Sequence, residues 1–550
     1  MSNGSWTTRS ILAITACCSL TMATAQNTDA LPTTAGFRIS GIAVSKIDGH
    51  PLDRARILLR NLKSRNDPES FITSADGKFS FENVSAGKYS LEGRKRGFIS
   101  AAYDQHDQYS SAIVTGAGID TENLVLKLSP QAIISGRVLD EAGEPVRQAQ
   151  LTLYRNNRFE GIEHIQAIRN AQTDDLGAFE LTPPLPGTYF LSVHAQPWYA
   201  MHPTSAVNHA DSGGRAGDNT NSLDVAYPVM YYENAMDTDS ATPIQISGGE
   251  HLQIEINLNP VPALRLIFHT AVDPSRGFSP PQLVQVGFDG SAGVQTSVEM
   301  PSPGVLEVSG VPAGRYNIRI PGQNTITQLN GVEVNKDGEE VDTSAAEALG
   351  TVKVSLKVLG ENVVPPGLGV GLFQARRSAG GLNRSADKGE IEIQQVPAGT
   401  YSVQTLGGGK VYGIVSLSAV GAQVKGHTVT VPAGASATIS LTVAAGAEVQ
   451  GVAKKAGEPF AEAMIVLVPR NTEGNRDLFR RDQSDLDGTF SLQNVVPGSY
   501  TIVAIEDGWD LDWSEPQVIA GYLKRGRPIE VRPETPSPLQ LKEAIEVQPK

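Results

Sequence analysis

The chain of 550 residues carries a formal net charge of −14, with 55 glycines, 34 prolines and 6% aromatic residues. That length exceeds what one core fills, and the glycine and proline content favours short strands and turns over long helices. The acidic balance disfavours nucleic acid and anionic lipid as partners, because the best basic clusters, at 94–96 and 524–527, are short and isolated.

Residues 1–25 contain one charge, Arg9, followed by an apolar run from Ile11 to Ala25 that closes on Ala23-Thr24-Ala25. This is the order of a secretory signal peptide cleaved after Ala25, with residues 26–35 as a linker. A rival reading is a lipoprotein of the outer membrane, since Ile14-Thr15-Ala16-Cys17 resembles a bacterial lipobox with Cys17 as the lipid anchor. The apolar stretch before Cys17 is short for that. Either way the chain is read as exported, periplasmic or extracellular, and no later segment reaches the roughly 18 apolar residues of a membrane span. Cys17 and Cys18 are the only cysteines. A chain cut after Ala25 therefore has no disulfide, no thiolate nucleophile and no cysteine-bound metal.

A repeat begins next. Gly77, Gly87 and Tyr89 recur at the same spacing as Gly177, Gly187 and Tyr189, as Gly304, Gly314 and Tyr316, as Gly389, Gly399 and Tyr401, and as Gly488, Gly498 and Tyr500. Apolar residues alternate after each first glycine: Phe79 and Phe81, Phe179 and Leu181, Leu306 and Val308, Ile391 and Ile393, Phe490 and Leu492. Period two predicts strands with one face on a core. The first glycine reads as a hairpin turn. The second follows proline or alanine and suits a type II turn. The tyrosine opens a further strand, with Leu91, Leu191, Ile318, Val403 and Ile502 two residues on. The repeats divide the exported chain into sandwiches at 36–129, 130–260 with a long loop at 197–224, 261–347, 348–446 and 447–550 with a C-terminal tail. The third and fourth are degenerate. Short linkers such as 128–132 predict a semi-rigid rod.

The fifth copy, from Asp482 through Asp485 and Asp487 to Gly488, has the look of a calcium loop. With Gly488 in the sixth position, such a loop starts at Gln483 and ends at Asn494, where acidic ligands are required. Aspartates bonding their own turn are the better reading.

An upstream half-motif joins Gly49-His50-Pro51-Leu52 to Ala55-Arg56-Ile57, Gly143-Glu144-Pro145-Val146 to Ala149-Gln150-Leu151, and Gly457-Glu458-Pro459-Phe460 to Ala463-Met464-Ile465. Thr73, Thr173 and Ser484 stand four residues before the first glycine. Together these stretches resemble the carboxypeptidase regulatory-like domain, a relative of transthyretin-like and collagen-adhesin B-type modules. The match is strong in repeats one, two and five and partial in three and four. The resemblance implies tandem seven-stranded Greek-key β-sandwiches, a carbohydrate-binding-like fold, and an accessory rather than a peptidase role.

Catalytic signatures are missing: there is no H-E-x-x-H, G-x-S-x-G or G-x-x-x-x-G-K-(S/T) in the sequence. Ser385-Ala386-Asp387-Lys388 fits an S-x-x-K pattern, but it occupies the hairpin position of Ser74-Ala75-Asp76-Gly77. His202, His209 and Asp211 lie in a polar loop with no zinc-ligand spacing. No cofactor or metal is assigned. Trp198 and Trp509 each follow a repeat tyrosine by nine residues, as does Phe98. Trp198 and Tyr199, and Trp509 and Trp513 with Asp510 and Asp512, form the candidate ligand site, because aromatic faces beside carboxylates suit sugars. The alternative is that these rings close their own sandwiches. The reading is a non-catalytic exported binding or scaffold protein with glycans as its candidate ligands. The alternative is a structural or adhesive spacer binding a protein partner at the cell surface, and a metal-dependent hydrolase resting on the histidine loop is the remote one.

Overall fold

The computed structural model describes residues 36–550 except 65, 117, 160–161, 203–222, 270–279, 289–291, 295, 322–325, 362, 375–376, 379–382, 385–388 and 534–536. The expected signal peptide and 26–35 linker, with Cys17, His209, Asp211 and Ser385 to Lys388, lie outside the described residues. The chain is all-β, built of tandem β-sandwiches, and Pro516–Leu523 is its one α-helix among the described residues.

One strand arrangement recurs. The first strand of each sandwich lies between the strand that follows the first glycine, antiparallel, and a strand near the sandwich's C-terminal end, parallel. Phe37–Ser45 sits this way between Lys78–Val84 and Leu124–Leu128. Ile133–Leu139 does so between Ala178–Leu181 and His251–Asn257, and Leu264–His269 between Val305–Val311 and Glu339–Glu340. Gly350–Val358 follows with Glu390–Val396 and Ser436–Ala445, and Ala447–Lys455 with Thr489–Val495 and Leu539–Gln540. Parallel neighbours require a crossover, which here runs through the opposite sheet and gives the Greek-key order. In that opposite sheet each tyrosine strand pairs antiparallel with an earlier strand of its own sandwich, as Gly87–Arg94 does with Arg56–Asn61 and Gly314–Pro321 with Gln282–Gln285. The degenerate third and fourth repeats therefore keep the full topology.

The alternating residues fill five separate cores, spanning Ile39 to Leu128, Ala132 to Leu258, Leu264 to Val341, Val352 to Val443 and Val449 to Val547. In each, the repeat tyrosine is buried and its hydroxyl donates to the carbonyl four residues earlier. The acceptors are Ser85 at 3.0 Å, Leu185, Pro312 at 2.6 Å, Pro397 at 2.7 Å and Val496 at 2.9 Å. Burial holds the Tyr189, Tyr316, Tyr401 and Tyr500 phenols above their ordinary pKa, so they remain donors.

The first glycine of every repeat has φ between +67° and +82°, as a hairpin turn demands. The second glycine differs from expectation. Gly187 and Gly399 are at φ +150° and +158°, and the other three are not in the positive-φ region, so no type II turn forms. The left-handed residue lies four positions earlier, at Asn83, Gly310, Gln395 and Asn494. There the strand carries one extra residue against its antiparallel partner, a bulge. The second glycine serves space instead: a Cβ on Gly498 would stand 3.1 Å from the Tyr500 ring.

The half-motif residues also meet. The Thr73 hydroxyl donates to the Leu52 carbonyl at 2.5 Å and accepts from the Ala55 N–H at 2.8 Å. Thr173 does the same with Val146 and Ala149, and Ser484 with Phe460 and Ala463. A buried hydroxyl thus stitches the turn to the strand it feeds.

The sandwiches do not form an open rod. Gln131 N–H bonds the Gly97 carbonyl at the first junction, and Phe288 packs on Tyr154, Phe190 and Tyr231 at the second. Gly434 N–H meets the Ala348 carbonyl at the third, and His427 pairs with Asp477 at 2.7 Å at the fourth. The fifth sandwich then returns to the first, with Lys88 on Asp485 at 2.5 Å.

Tyr401→Phe leaves the Pro397 carbonyl unpaired and should destabilise the fourth sandwich by about 1–3 kcal/mol. Tyr401→Ala adds a cavity and should cost about 3–5 kcal/mol. Urea unfolding of the two variants checks the difference.

Candidate functional site

The aromatic residue nine places after the tyrosine takes a different role in each full repeat. In the first, Phe98 packs partly buried against its own core and bridges to Pro130, where the chain enters the second sandwich.

In the second repeat, the strand Gly187–His194 ends before Pro197, and Trp198 is 85% exposed. Its indole meets the Tyr199 ring edge-on, with centroids 5.8 Å apart at 90°. The Tyr199 hydroxyl donates to one oxygen of Glu141, and Tyr227 donates to the other at 3.0 Å. Although burial works against ionisation, those hydrogen bonds bring the Glu141 carboxyl below its ordinary pKa, and burial with the Glu141 hydrogen bond pushes Tyr199 up to about 12. An exposed indole, the Tyr199 phenol and a carboxylate fixed from below by the buried Tyr227 therefore lie together. His202 lies nearby and pairs with Asp224 at 2.9 Å, its ring against Gly310 of the third sandwich. It is placed at a junction, and no group of three or more metal-ligating side chains occurs among the described residues.

In the fifth repeat the rings turn inward. Trp513 is 7% exposed and packs on Phe479, 5.9 Å between centroids. It belongs to a second core on the outer face of the Met464–Pro469 and Gly498–Ile505 strands, with Met464, Val466, Val503 and Ile519, which the Pro516–Leu523 helix covers. Trp509 leaves the strand through a 3-10 turn, Gly508–Asp510, and stacks on His106 of the first sandwich at 4.6 Å and 9°. Asp510 pairs with Lys550 at 2.5 Å, and Asp512 is half-buried. The structure thus places the six candidate residues in two groups, one on the second sandwich and one at the contact between the fifth and the first.

That contact recruits residues that the sequence reading did not single out. The Arg481 guanidinium lies 4.5 Å over the Tyr109 ring and 5.4 Å over each of Trp509 and Trp513, and it donates to Asp107 at 3.1 Å. Asp485 takes Lys88 on one oxygen and the Ala112 N–H on the other at 2.8 Å. The Leu486 N–H bonds the Ala112 carbonyl, and the Leu486 side chain packs on the first core. Gln483 donates to the Asp104 carbonyl at 2.6 Å and to the Ser111 hydroxyl at 3.0 Å, and that hydroxyl donates to the Ser484 carbonyl at 2.9 Å. Asp487 alone of the three aspartates caps its own turn, through the Thr489 N–H at 3.0 Å. Asp482 accepts from the Ser491 N–H at 2.6 Å.

No family model matches the chain, and no curated protein matches it. Among solved structures it is similar to the minor pilin GBS52 of Streptococcus agalactiae, at 15% identity over 41% of this chain and 96% of that one, TM-score 0.20. It is similar to two B repeat units of the collagen-binding protein of Staphylococcus aureus, at 11% identity over 74% and 99%, TM-score 0.13. It is also similar to the shaft pilin SpaA of Lactobacillus rhamnosus GG, at 9% identity over 41% and 97%, TM-score 0.18. Likeness at these scores carries no argument about function. No helix among the described residues is long and apolar enough to cross a membrane.

Trp198→Ala should change stability by less than about 0.5 kcal/mol, as an exposed side chain does. Trp513→Ala should cost about 3–5 kcal/mol by opening a cavity in the outer core of the fifth sandwich. Denaturant melts of both variants check the contrast.

Proposed function

We propose that the chain is an exported, non-catalytic scaffold of carboxypeptidase regulatory-like modules that binds a protein partner at the cell surface. The observation that carries this reading is the return of the fifth sandwich to the first through Asp485, Arg481 and Trp509. Two of the three tryptophans beyond the signal segment are engaged in packing within the chain, which supports a preorganised support over a row of sugar-binding sites. Rigid arrangement favours partner binding because little freedom remains to be lost on association. Cross-linking on intact cells should trap a specific partner with the wild-type chain. A chain that is exported yet monomeric and unlinked would count against the reading. Sequencing of the exported protein should begin at Gln26, and a lipid on Cys17 would instead place it as an anchored lipoprotein.

A second reading rests on Trp198. Its exposed indole beside Tyr199 and the carboxylate of Glu141 is suited to stacking on the apolar face of a pyranose while accepting hydroxyl hydrogen bonds. Titration with a panel of polysaccharides should change tryptophan emission in the wild type and not in Trp198→Ala. Flat titrations with the wild type would remove the glycan reading and leave the scaffold untouched.

A further inference from the structure

We propose that the fold is built to bear tension, and that the contact of the fifth sandwich with the first is a clasp that opens under load before any sandwich unfolds. This rests on the reading of the chain as a surface scaffold, since a body held at both ends is pulled. Each sandwich is entered through its first strand and left through, or soon after, a strand that lies parallel to it in the same sheet. Pulling the two ends apart therefore slides one strand along the other, and every hydrogen bond of the parallel ladder is strained at once. An antiparallel pair pulled from one end gives up its bonds one by one instead.

The parallel ladders differ in length. In the first sandwich the ladder runs over five residues, 41–45 on Leu124–Leu128, and in the second over seven, Ile133–Leu139 on His251–Asn257. In the fourth it runs over eight, 351–358 on 436–443, and the exit strand is held on its other side by Tyr412–Val420. In the third it covers two, 266–267 on Glu339–Glu340, and the exit continues through Glu347–Ala348, paired only with 327–328. The fifth has two short ladders, 449–450 on Leu539–Gln540 and 453–454 on 545–546, and its last strand also lies parallel to 504–505. Forced unfolding is governed by the barrier to leaving the native state, so the third sandwich is the weakest link and the fourth the strongest.

The clasp decides which links carry the load. While it is shut, force entering the first sandwich passes straight to the fifth and bypasses the three between them. It crosses through Lys88 on Asp485 and Thr489, Arg481 on Asp107, Gln483 on Ser111, and the Leu486 N–H on the Ala112 carbonyl. Among the described residues no strand ladder crosses this contact. It therefore parts at lower force than the ladders do, and the first and fifth cores stay whole. Opening lengthens the molecule and puts the load on the third sandwich. The Leu486 side chain leaves the first core as this happens, and its return favours reclosure when the force falls.

Residues 26–550 contain no cysteine, so a cysteine added at each end carries a handle for optical tweezers. The exported chain should show an early, reversible step at low force, followed by larger unfolding steps. Lys88→Ala should lose the early step or move it to lower force, and leave the larger steps unchanged. A glycine-serine insertion between Asn335 and Lys336 labels the third sandwich by lengthening its step, and one after Gly360 labels the fourth; the first larger step and the last should lengthen, respectively. Traces without an early step, an early step unmoved by Lys88→Ala, or insertions that lengthen steps out of this order would overturn the proposal. The traces need no partner, so a chain that shows them but traps no partner on cells loses the scaffold reading and keeps the clasp.

Discussion

The bond from a buried tyrosine hydroxyl to the carbonyl four residues before it is the constraint on which each sandwich depends. The residues from Ser85 to Tyr89, and their four counterparts, must cross from one sheet to the other, and a crossing leaves backbone groups without strand partners. Burying such a carbonyl unpaired costs about 1–3 kcal/mol, a sizeable share of the roughly 5–15 kcal/mol by which a domain is stable. A phenol is long enough to fill the core and still return a donor to its own corner, which phenylalanine cannot do. The glycine two residues earlier completes the device by leaving room for the ring, as the approach of Tyr500 to Gly498 illustrates.

Around that corner the remaining repeat residues fall into place. The left-handed bulge at Asn83, Gly310, Gln395 and Asn494 bends the incoming strand toward the crossing. In repeats one, two and five a buried threonine or serine hydroxyl joins the first turn to the second strand. Repeats three and four lack the half-motif that this hydroxyl serves, yet keep the strand order. The corner tyrosine is therefore the common requirement, and the hydroxyl stitch is an addition.

Much of this was legible from the residues. Period-two alternation identified core positions such as Phe79, Leu306 and Ile393, because a strand has only two faces. The second glycine was misread as a type II turn, since composition alone cannot separate a glycine needed for its φ from one needed for its missing side chain. The contact between fifth and first sandwiches was not legible at all. Asp174 and Asp485 occupy the same place before the first glycine, but Asp174 bonds the Leu176 and Ala178 N–H groups of its own turn while Asp485 reaches Lys88. The residue type is identical and only the neighbour differs, and that neighbour is hundreds of positions away. Trp198 and Trp509 show the same ambiguity, sharing an offset while one faces solvent and the other a histidine.

The meeting of Asp485 with Lys88 has a consequence for how such a protein can change over evolution. An open string of modules lengthens or shortens freely, because each unit answers only to its neighbours. Here the circuit is shut, so duplicating or deleting a whole unit moves the last one out of reach of the first and strands a buried acid without its cation. The number of modules between those two is thereby tied to the geometry of closure, and drift is confined to their loops and surfaces.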